Sequence, residues 1–561
     1  MPNSLFDKHT IMNKGDFWMN AKKWMLSLLT AVMLISLLSA CASNSSNKPS
    51  NTGTDKPNSG TEGGTKEPST DPIKITFFDK NTGDKFDNAI AKEITKRTGV
   101  TIEIQQPTGN PTEKLNLMLA SEDLPDMIMF DRSSDLVAKY IEAKAIVPLN
   151  DLISQYGPDV TTMYGDVLNK TRYKDGNNYY LSNWYGLEHE PVFGFNMRKD
   201  IVKELAPDKA EGGVPFTQSE FKQLLVDFKA KYPQIDGKNS IALTMDGENW
   251  GGTMGTFKGM FGLSGYYEHD GKLQYDVKDP KYKDMILYMN DLYRSGLMDK
   301  EWAINKRQVW EQKIATGTIL SSTGAYWDLG NSNTILKKDK GEESQLFAYK
   351  VVADGVDPAK TTFGGRSSLG WDAIAITKKN KNPERTMQFI NFLASEEGQY
   401  LLMWGIEGTH WDMKDGKHVP RPETLQAFKD DWAAYTKETG IRKWTWFIKN
   451  GPGADGTPYD LPGRYERSPI DKMAIKNLSD TIYDTAIYDG LNPQGGTPEA
   501  LNEQKINDIT KQALTKAIMA PSAEESSSIF DKMLSDMKAA GDEKVEAVYS
   551  SNYAARKELW N

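Results

Sequence analysis

IKITFF at Ile73–Phe78, VTIEI at residues 100–104 and MIMF at residues 127–130 are the segments that decide the fold. Each is a short run rich in β-branched, aromatic or other apolar side chains, and such runs predict strands. Residues 89–98 and 112–120, which lie between them, have the spacing and end residues of helices. Strands that alternate with helices predict an α/β fold with a parallel sheet covered by helices.

In a sheet of this kind, ligands bind beyond the carboxyl ends of the strands. We therefore expect the loops at Asp79, at residues 131–134 and at residues 182–185 to converge on one edge of the sheet. The folded part, residues 71–561, is too long for one ordinary hydrophobic core and predicts two domains.

The amino-terminal segment carries a targeting signal. Lys22 and Lys23 precede an apolar run at residues 25–40 (MLSLLTAVMLISLLSA), which is shorter than the ~20 residues of a membrane-spanning helix. A basic flank, a short apolar core and small residues at its end are typical of a secretory signal, here residues 1–40. The sequence around Cys41 (LSAC) resembles the lipobox of bacterial lipoproteins, which implies lipidation of Cys41 and a mature chain anchored to the outer face of a membrane. A plain signal peptide or an anchor helix, with an incidental cysteine, is the alternative.

Residues 41–70 are rich in Ser, Asn, Gly, Thr and Pro and, beyond Cys41, contain no large apolar side chain. This composition predicts a disordered tether, because too little apolar surface is available to offset the entropy of ordering. A flexible chain of this length has a reach of ~30 Å. Cys41 is the one cysteine of 561 residues, so the chain has no internal disulfide.

Several segments, in their order along the chain, resemble the extracellular solute-binding proteins of carbohydrate ABC importers, and in particular the large LplA-like lipoproteins. They are ASEDLPDMIMFD (residues 120–131), NMRKD (196–200), LYRSGLMDKEW (292–302), GWDAIAIT (370–377) and GIEGTHW (405–411). The resemblance implies a two-lobe periplasmic-binding-protein-like fold of type II, with a hinge between the lobes and the ligand in the cleft between them. It places lobe 1 at residues 71–190 and 365–410, and lobe 2 at residues 191–364 and 411–561.

The sequence contains no catalytic signature of the nucleophile-elbow, zinc-protease or P-loop type. Its 5 histidines have no metal-ligand spacing, and His410 and His418 flank a segment that predicts a hairpin turn. A net charge of −9 argues against a nucleic-acid partner, which needs a basic surface. We therefore expect a binding protein and no enzyme.

The resemblance also suggests a calcium site, because some large relatives carry an EF-hand-like loop after a helix of the second lobe. Calcium takes six or more oxygen ligands. The corresponding residues 232–240 (YPQIDGKNS) offer only Asp236 and Asn239 as clear ligands. We expect no cofactor, with calcium disfavoured.

The 14 tryptophans give the clearest indication of a binding site. Sugar rings have apolar faces and polar rims, so a sugar site needs flat aromatic side chains with polar or charged groups beside them. Each tryptophan taken singly is more often a core residue. As a group, the aromatic, acidic and arginine residues of the predicted cleft loops are the candidate ligands: Asp79, Asp131, Trp184, Tyr185, Trp250, Trp327, Arg366, Trp371 and Asp372. The loop at residues 459–468 (YDLPGRYERS) has no assigned role.

These features predict a lipid-anchored solute receptor, monomeric, that closes its hinge on a carbohydrate and delivers it to an ABC permease. The alternatives are a membrane-anchored carbohydrate-active enzyme, a receptor for a peptide or another nutrient, and a sensor that signals to a membrane kinase. The sequence does not define the identity, length or charge of the solute.

Overall fold

The computed structural model describes residues 70–106, 109–191 and 193–560. The predicted signal, Cys41 and nearly all of the predicted tether lie outside these residues. Within the described part of the chain, no helix is long and apolar enough to cross a membrane.

The strands, in chain order, are β1 (Ile73–Phe78), β2 (Val100–Gln105), β3 (Met127–Asp131), β4 (Leu181–Ser182), β5 (Trp184–Tyr185), β6 (Phe193–Arg198), β7 (Phe216–Thr217), β8 (Gln234–Ile235), β9 (Lys238–Asn239), β10 (Ile241–Thr244), β11 (Tyr266–His269), β12 (Lys272–Tyr275), β13 (Ile319–Ala325), β14 (Leu346–Tyr349), β15 (Val351–Val352), β16 (Gly364–Arg366), β17 (Asp372–Ile376), β18 (Trp411–Lys414), β19 (Lys417–Pro420), β20 (Ile448–Lys449) and β21 (Ile482–Asp484).

The helices are α1 (Ala89–Thr98), α2 (Pro111–Ser121), α3 (Leu136–Glu142), α4 (Asn150–Tyr156), α5 (Pro158–Tyr164), α6 (Asp166–Lys170), α7 (Lys199–Leu205), α8 (Gln218–Lys231), α9 (Trp250–Phe261), α10 (Pro280–Arg294), α11 (Arg307–Ala315), α12 (Gly330–Lys340), α13 (Pro383–Ala394), α14 (Glu396–Trp404), α15 (Pro422–Asp430), α16 (Trp432–Thr439), α17 (Pro469–Leu478), α18 (Pro498–Ile518), α19 (Ala523–Ala539) and α20 (Asp542–Trp560).

Lobe 1 is built on a five-stranded sheet in the order β2-β1-β3-β17-β4. The predicted strands β1, β2 and β3 are confirmed and pair in parallel. The returning strand β17 runs antiparallel to β3, with Asp372 opposite Asp131. Because successive side chains point to opposite faces, Phe77 packs into the apolar cluster on one face of the sheet and Phe78 into the cluster on the other.

Lobe 2 is built on a four-stranded sheet in the order β10-β13-β6-β14. β10 and β13 are parallel, and β6 runs antiparallel to β13. Phe195 and Met197 of β6 pack into the large cluster on one face, which also includes buried side chains of α8, α10 and α18–α20.

The predicted assignment of residues 411–561 to lobe 2 is wrong for their first part. Buried side chains between Trp411 and Leu461 belong to the apolar cluster of lobe 1, among them Trp444, Trp446 and Ile448. β20 pairs with β5 of lobe 1. The chain thus crosses from lobe 1 to lobe 2 at β6 and returns to lobe 1 at β17. It remains in lobe 1 until about residue 461, and the carboxy-terminal helices then pack in lobe 2.

The lobes are joined by the crossing ribbon, which we define as residues 186–191, residues 363–370 and β21. The backbone N–H of Gly186 donates to the carbonyl of Ser368 at 2.8 Å. β16 and β21 pair in parallel, with Arg366 opposite Asp484. A cross-linked ribbon of this kind fixes the position of the hinge while it leaves the two sheets separate.

Candidate functional site

A cluster of charged side chains surrounds Glu190 in the crossing ribbon. Glu190 is 1% exposed. Its carboxylate forms an ion pair with Nη1 of Arg464 at 2.6 Å and a second one with Nη1 of Arg467. Tyr326 donates its hydroxyl to Oε2 of Glu190 at 3.2 Å, and Arg464 lies 3.4 Å from Glu188. These contacts join the ribbon, the end of β13 and the loop before α17.

Arg366 and Trp327 meet at the border between the ribbon and lobe 2. The guanidinium carbon of Arg366 lies 5.2 Å from the ring centroid of Trp327, which is the geometry of a cation–π contact. Trp327 follows the carboxyl end of β13 and is 43% exposed. A large aromatic ring that is held by a cation and still open to solvent can accept a flat ligand face.

A stacked column of side chains lies on the lobe 1 side. The ring of Trp371 stacks on that of Trp184 with centroids 5.8 Å apart. The guanidinium of Arg442 lies 5.1 Å from the ring of Trp184 and 5.0 Å from that of Trp432. Asp460 holds this guanidinium through hydrogen bonds from Nε at 3.0 Å and Nη2 at 3.2 Å. Trp371 and Trp432 are 55% and 39% exposed, so both ends of the column are open.

The structure brings Asp79 and Asp372 together at the carboxyl edge of the lobe 1 sheet, and both are buried. Asn81 donates its backbone N–H to Asp79 and its side-chain amide to Asp372, and Lys80 forms an ion pair with Asp372 at 2.7 Å. Burial raises the pKa of both carboxyl groups, against the opposing effect of these hydrogen bonds. Trp446 also donates its indole N–H to Asp79. Asp79 and Asp372 therefore hold the loop after β1 in place through buried hydrogen bonds and an ion pair.

Asp131 lies at the same edge and is exposed. Its carboxylate accepts from the backbone N–H of Ser133 at 3.0 Å and from the hydroxyl of Ser133 at 2.7 Å. The side chain thus stabilises its own loop and keeps an accessible oxygen.

Two of the predicted site residues have a different environment from the one expected. Tyr185 is 1% exposed and stacks on Tyr164 with centroids 3.6 Å apart, so it is a core residue of lobe 1. Trp250 does not lie in a loop: it begins α9, which Asn249 caps, and it packs on Trp302. The glycines near Trp250 led to the prediction of a loop, but Gly251 and Gly252 lie in the first turn of the helix.

A cavity of about 910 Å³ lies between lobe 1 and the carboxy-terminal segment. Its lining includes Arg132, Lys170, Tyr180, Asp489 and Arg556. Arg132 reaches across to Asp489 at 2.5 Å, so one ion pair connects the end of β3 with the segment before α18. This volume is in the range of sites that hold small ligands.

Sequence reasoning missed Glu188, Glu190, Arg464, Arg467 and Arg442 as members of the site. Arg464 and Arg467 belong to the loop at residues 459–468, to which no role was assigned. The composition of that loop, with two arginines three residues apart, was the one available signal. Nothing local indicates that it reaches Glu190, which is more than 250 residues earlier in the chain.

In the described residues, no group of three or more His, Cys, Asp and Glu side chains could hold a metal ion. The two calcium candidates lie in the β8–β9 hairpin, where the carboxylate of Asp236 forms an ion pair with Lys340 at 2.7 Å. His418 lies in the predicted hairpin β18–β19 and binds Asp455 through Nδ1 at 2.8 Å.

The model of one protein family, bacterial extracellular solute-binding protein, matches residues 79–400 of the chain. This match covers more than half of the 561 residues and includes every strand of the two sheets except β1, together with two segments of the crossing ribbon. The chain therefore belongs to the bacterial extracellular solute-binding proteins.

Two curated relatives come from Bacillus subtilis. The polygalacturonan/rhamnogalacturonan-binding protein YtcQ is 24% identical over 442 residues, which are 77% of this chain and 84% of the relative. The lipoprotein LipO is 24% identical over 409 residues, which are 70% of this chain and 74% of the relative.

Among solved structures, the HMO-binding, ABC-transporter-associated solute-binding protein of Bifidobacterium longum infantis superposes with a TM-score of 0.66. It is 16% identical, and the alignment covers 87% of this chain and 99% of that protein. This similarity supports the two-lobe fold.

Proposed function

We propose that this protein is a lipid-anchored receptor that captures a carbohydrate outside the cell and delivers it to an ABC permease. Membership of the solute-binding family and the polysaccharide named for one relative support a carbohydrate ligand. The observation that carries the proposal is the set of exposed tryptophans and charged side chains around the crossing ribbon.

These side chains are complementary to both the apolar face and the polar rim of a sugar ring. Trp327 and Trp371 offer open aromatic faces for the apolar C–H face of a pyranose ring. Arg366 and Glu188 supply donors and acceptors for the polar rim. Burying one such tryptophan face contributes about 1.5–3 kcal/mol, and the hydrogen bonds fix the orientation of the sugar.

Delivery requires two conformations, and the crossing ribbon supplies the hinge. A solute that contacts Trp327 of lobe 2 and Trp371 of lobe 1 binds the closed state more tightly than the open state, so it shifts the population to the closed state. The closed form then docks on the permease. Cys41 carries the lipid that keeps the receptor near its partner, as the lipoprotein relative also supports.

We infer that no bond of the solute is made or broken. Glu190, a buried carboxylate of the site, has both oxygens in ion pairs with arginines, so it is not placed to exchange a proton with a sugar. The matched family consists of solute-binding proteins, and the relative YtcQ is named as a binding protein.

Calorimetry with the full-length protein tests the proposal against a panel of neutral and acidic oligosaccharides, peptides and amino acids. We expect at least one oligosaccharide to bind with a Kd in the micromolar range or below, and to raise the melting temperature by the linkage relation RT ln(1 + [L]/Kd). Binding of peptides and of no carbohydrate would contradict the proposal. Release of shortened sugars on prolonged incubation would favour the anchored enzyme instead.

A Cys41→Ala variant tests the anchor. Wild-type protein should incorporate labelled palmitate and sediment with membranes, and the variant should do neither. Equal palmitate labelling of the variant would refute lipidation at Cys41.

A further inference from the structure

Arg366 differs from the other arginines in the part of the chain that the structure describes. Every other arginine there donates its guanidinium to at least one carboxylate, carbonyl or side-chain oxygen: Arg97, Arg132, Arg172, Arg198, Arg294, Arg307, Arg385, Arg421, Arg442, Arg464, Arg467 and Arg556. The contact of the Arg366 guanidinium is the ring of Trp327. All of its hydrogen-bond donors are thus available.

Two acidic residues interact with other groups, although one faces Arg366 in the ribbon and the other attracts it. Asp484 lies opposite Arg366 in the ribbon, but its carboxylate accepts from the backbone N–H and the hydroxyl of Ser368. Glu188 attracts Arg366 through space, but its nearest cation is Arg464 at 3.4 Å. Among the described residues, no carboxylate therefore forms an ion pair with Arg366.

An incompletely paired guanidinium in a partly buried position is costly, because burial removes water without replacing its hydrogen bonds. Burial accordingly lowers the pKa of Arg366, against the opposing attraction of Glu188. The cation–π contact with Trp327 holds the side chain in place. Such an arrangement gains most from a ligand that brings its own negative charge.

We propose that Arg366 binds the carboxylate of a uronic acid residue, so that the solute is an acidic oligosaccharide. This inference rests on the proposed carbohydrate-receptor function. A planar guanidinium and a carboxylate form two parallel hydrogen bonds, which a sugar hydroxyl does not reproduce. The ring of the same residue would lie against Trp327, so that one sugar unit satisfies both side chains.

The test compares oligogalacturonates with their fully methyl-esterified forms, which have the same backbone and no charge. Calorimetry on the full-length protein should show at least tenfold tighter binding of the acid than of the ester. Added NaCl should weaken binding of the acid and leave that of the ester unchanged, because salt screens charge. Oligomannuronates and oligoglucuronates extend the panel to other uronic acids.

Arg366→Gln should reduce the acid-to-ester ratio to near one by weakening acid binding, with ester affinity kept within about threefold. Arg421→Gln, which alters an ion pair in the β18–β19 hairpin, is the matched control and should keep the wild-type ratio. Far-UV circular dichroism and the melting temperature establish that both variants fold.

The inference is overturned if the wild type binds acid and ester equally, if no uronate of the panel binds, or if R366Q weakens both forms alike. Tight binding of a neutral oligosaccharide alone would overturn it and leave the carbohydrate-receptor function standing. Failure of every sugar to bind would contradict both proposals.

Discussion

The ring of Trp371 stacks on the ring of Trp184 with centroids 5.8 Å apart and planes inclined by 23°. Trp184 is 9% exposed and Trp371 is 55% exposed, so a buried ring supports an open one. Gly370, with φ +69°, lets the chain turn between the ribbon and this stack, since a Cβ there would lie 2.4 Å from the carbonyl of Trp184. The stack thus turns the start of β17 into a flat surface beside the ribbon.

Trp371→Ala should weaken binding of the carbohydrate about 10- to 100-fold, because it removes the apolar face, worth about 1.5–3 kcal/mol. The free energy of unfolding should change little, since the side chain is mostly exposed. Calorimetry and urea titration measure the two quantities. Met413→Ala, an exposed apolar residue of the β18–β19 hairpin, is the control, and wild-type affinity in W371A would exclude this ring from the site.

Glu190→Gln should lower the free energy of unfolding by about 2–4 kcal/mol, because it leaves Arg464 and Arg467 without their shared buried partner. Urea titration gives the value. Glu188→Gln removes one longer ion pair, at 3.4 Å, and should cost about 1 kcal/mol. Equal stability of E190Q and the wild type would show that the cluster does not hold the ribbon to the loop before α17.

Gly364→Ala should distort the crossing ribbon, because a Cβ at this position would lie 2.8 Å from Cα of Ile482 in β21. Overpacking against backbone costs about 1–3 kcal/mol. The same change should reduce the ligand-induced decrease in the radius of gyration seen by X-ray scattering.

Gly330→Ala is the matched control for this change. A Cβ there meets no atom within 4 Å, and the residue begins α12, where alanine is a better helix former. G330A should be neutral or slightly stabilising and should close like the wild type. If G364A and G330A had the same stability and the same ligand-induced change in the radius of gyration, close packing of β16 on β21 would not be needed for closure.

Asp455 should make the stability of lobe 1 depend on pH. Desolvation by itself would raise the pKa of Asp455, but hydrogen bonds from Thr457 and His418 outweigh it and hold the pKa well below its usual value. A depressed carboxyl pKa contributes stability that is complete above the unfolded-state value of about 3.9 and is lost as the pH falls towards the folded-state value.

Asp455→Asn should therefore destabilise the protein at pH 7 and do so progressively less below pH 4. Urea titrations at pH 7, 4 and 3 give the difference between wild type and variant. Asp412→Asn, which alters the accessible ion pair with Arg421, should have a small effect at each pH. A D455N deficit that stays constant between pH 7 and pH 3 would contradict the assignment.

Local pattern determined much of the framework. The alternation of IKITFF predicted β1 and the apolar run MIMF predicted β3, as the structure confirms. Strand and helix periodicity depends on neighbours a few residues apart, and a single sequence displays it fully. The ordered family motifs then indicated two lobes.

Tertiary structure alone decided which side chains form the site. Trp444 and Trp446 entered the lobe 1 core, Tyr185 became buried, and Arg464 and Arg467 reached Glu190. Burial and ion pairing depend on segments hundreds of residues apart, and no local periodicity records such distances. The sequence by itself thus determined the first strands and helices and the resemblance to the family. Packing of the lobes around the ribbon decided that Arg366 has no ion-pair partner among the described residues and lies beside Trp327.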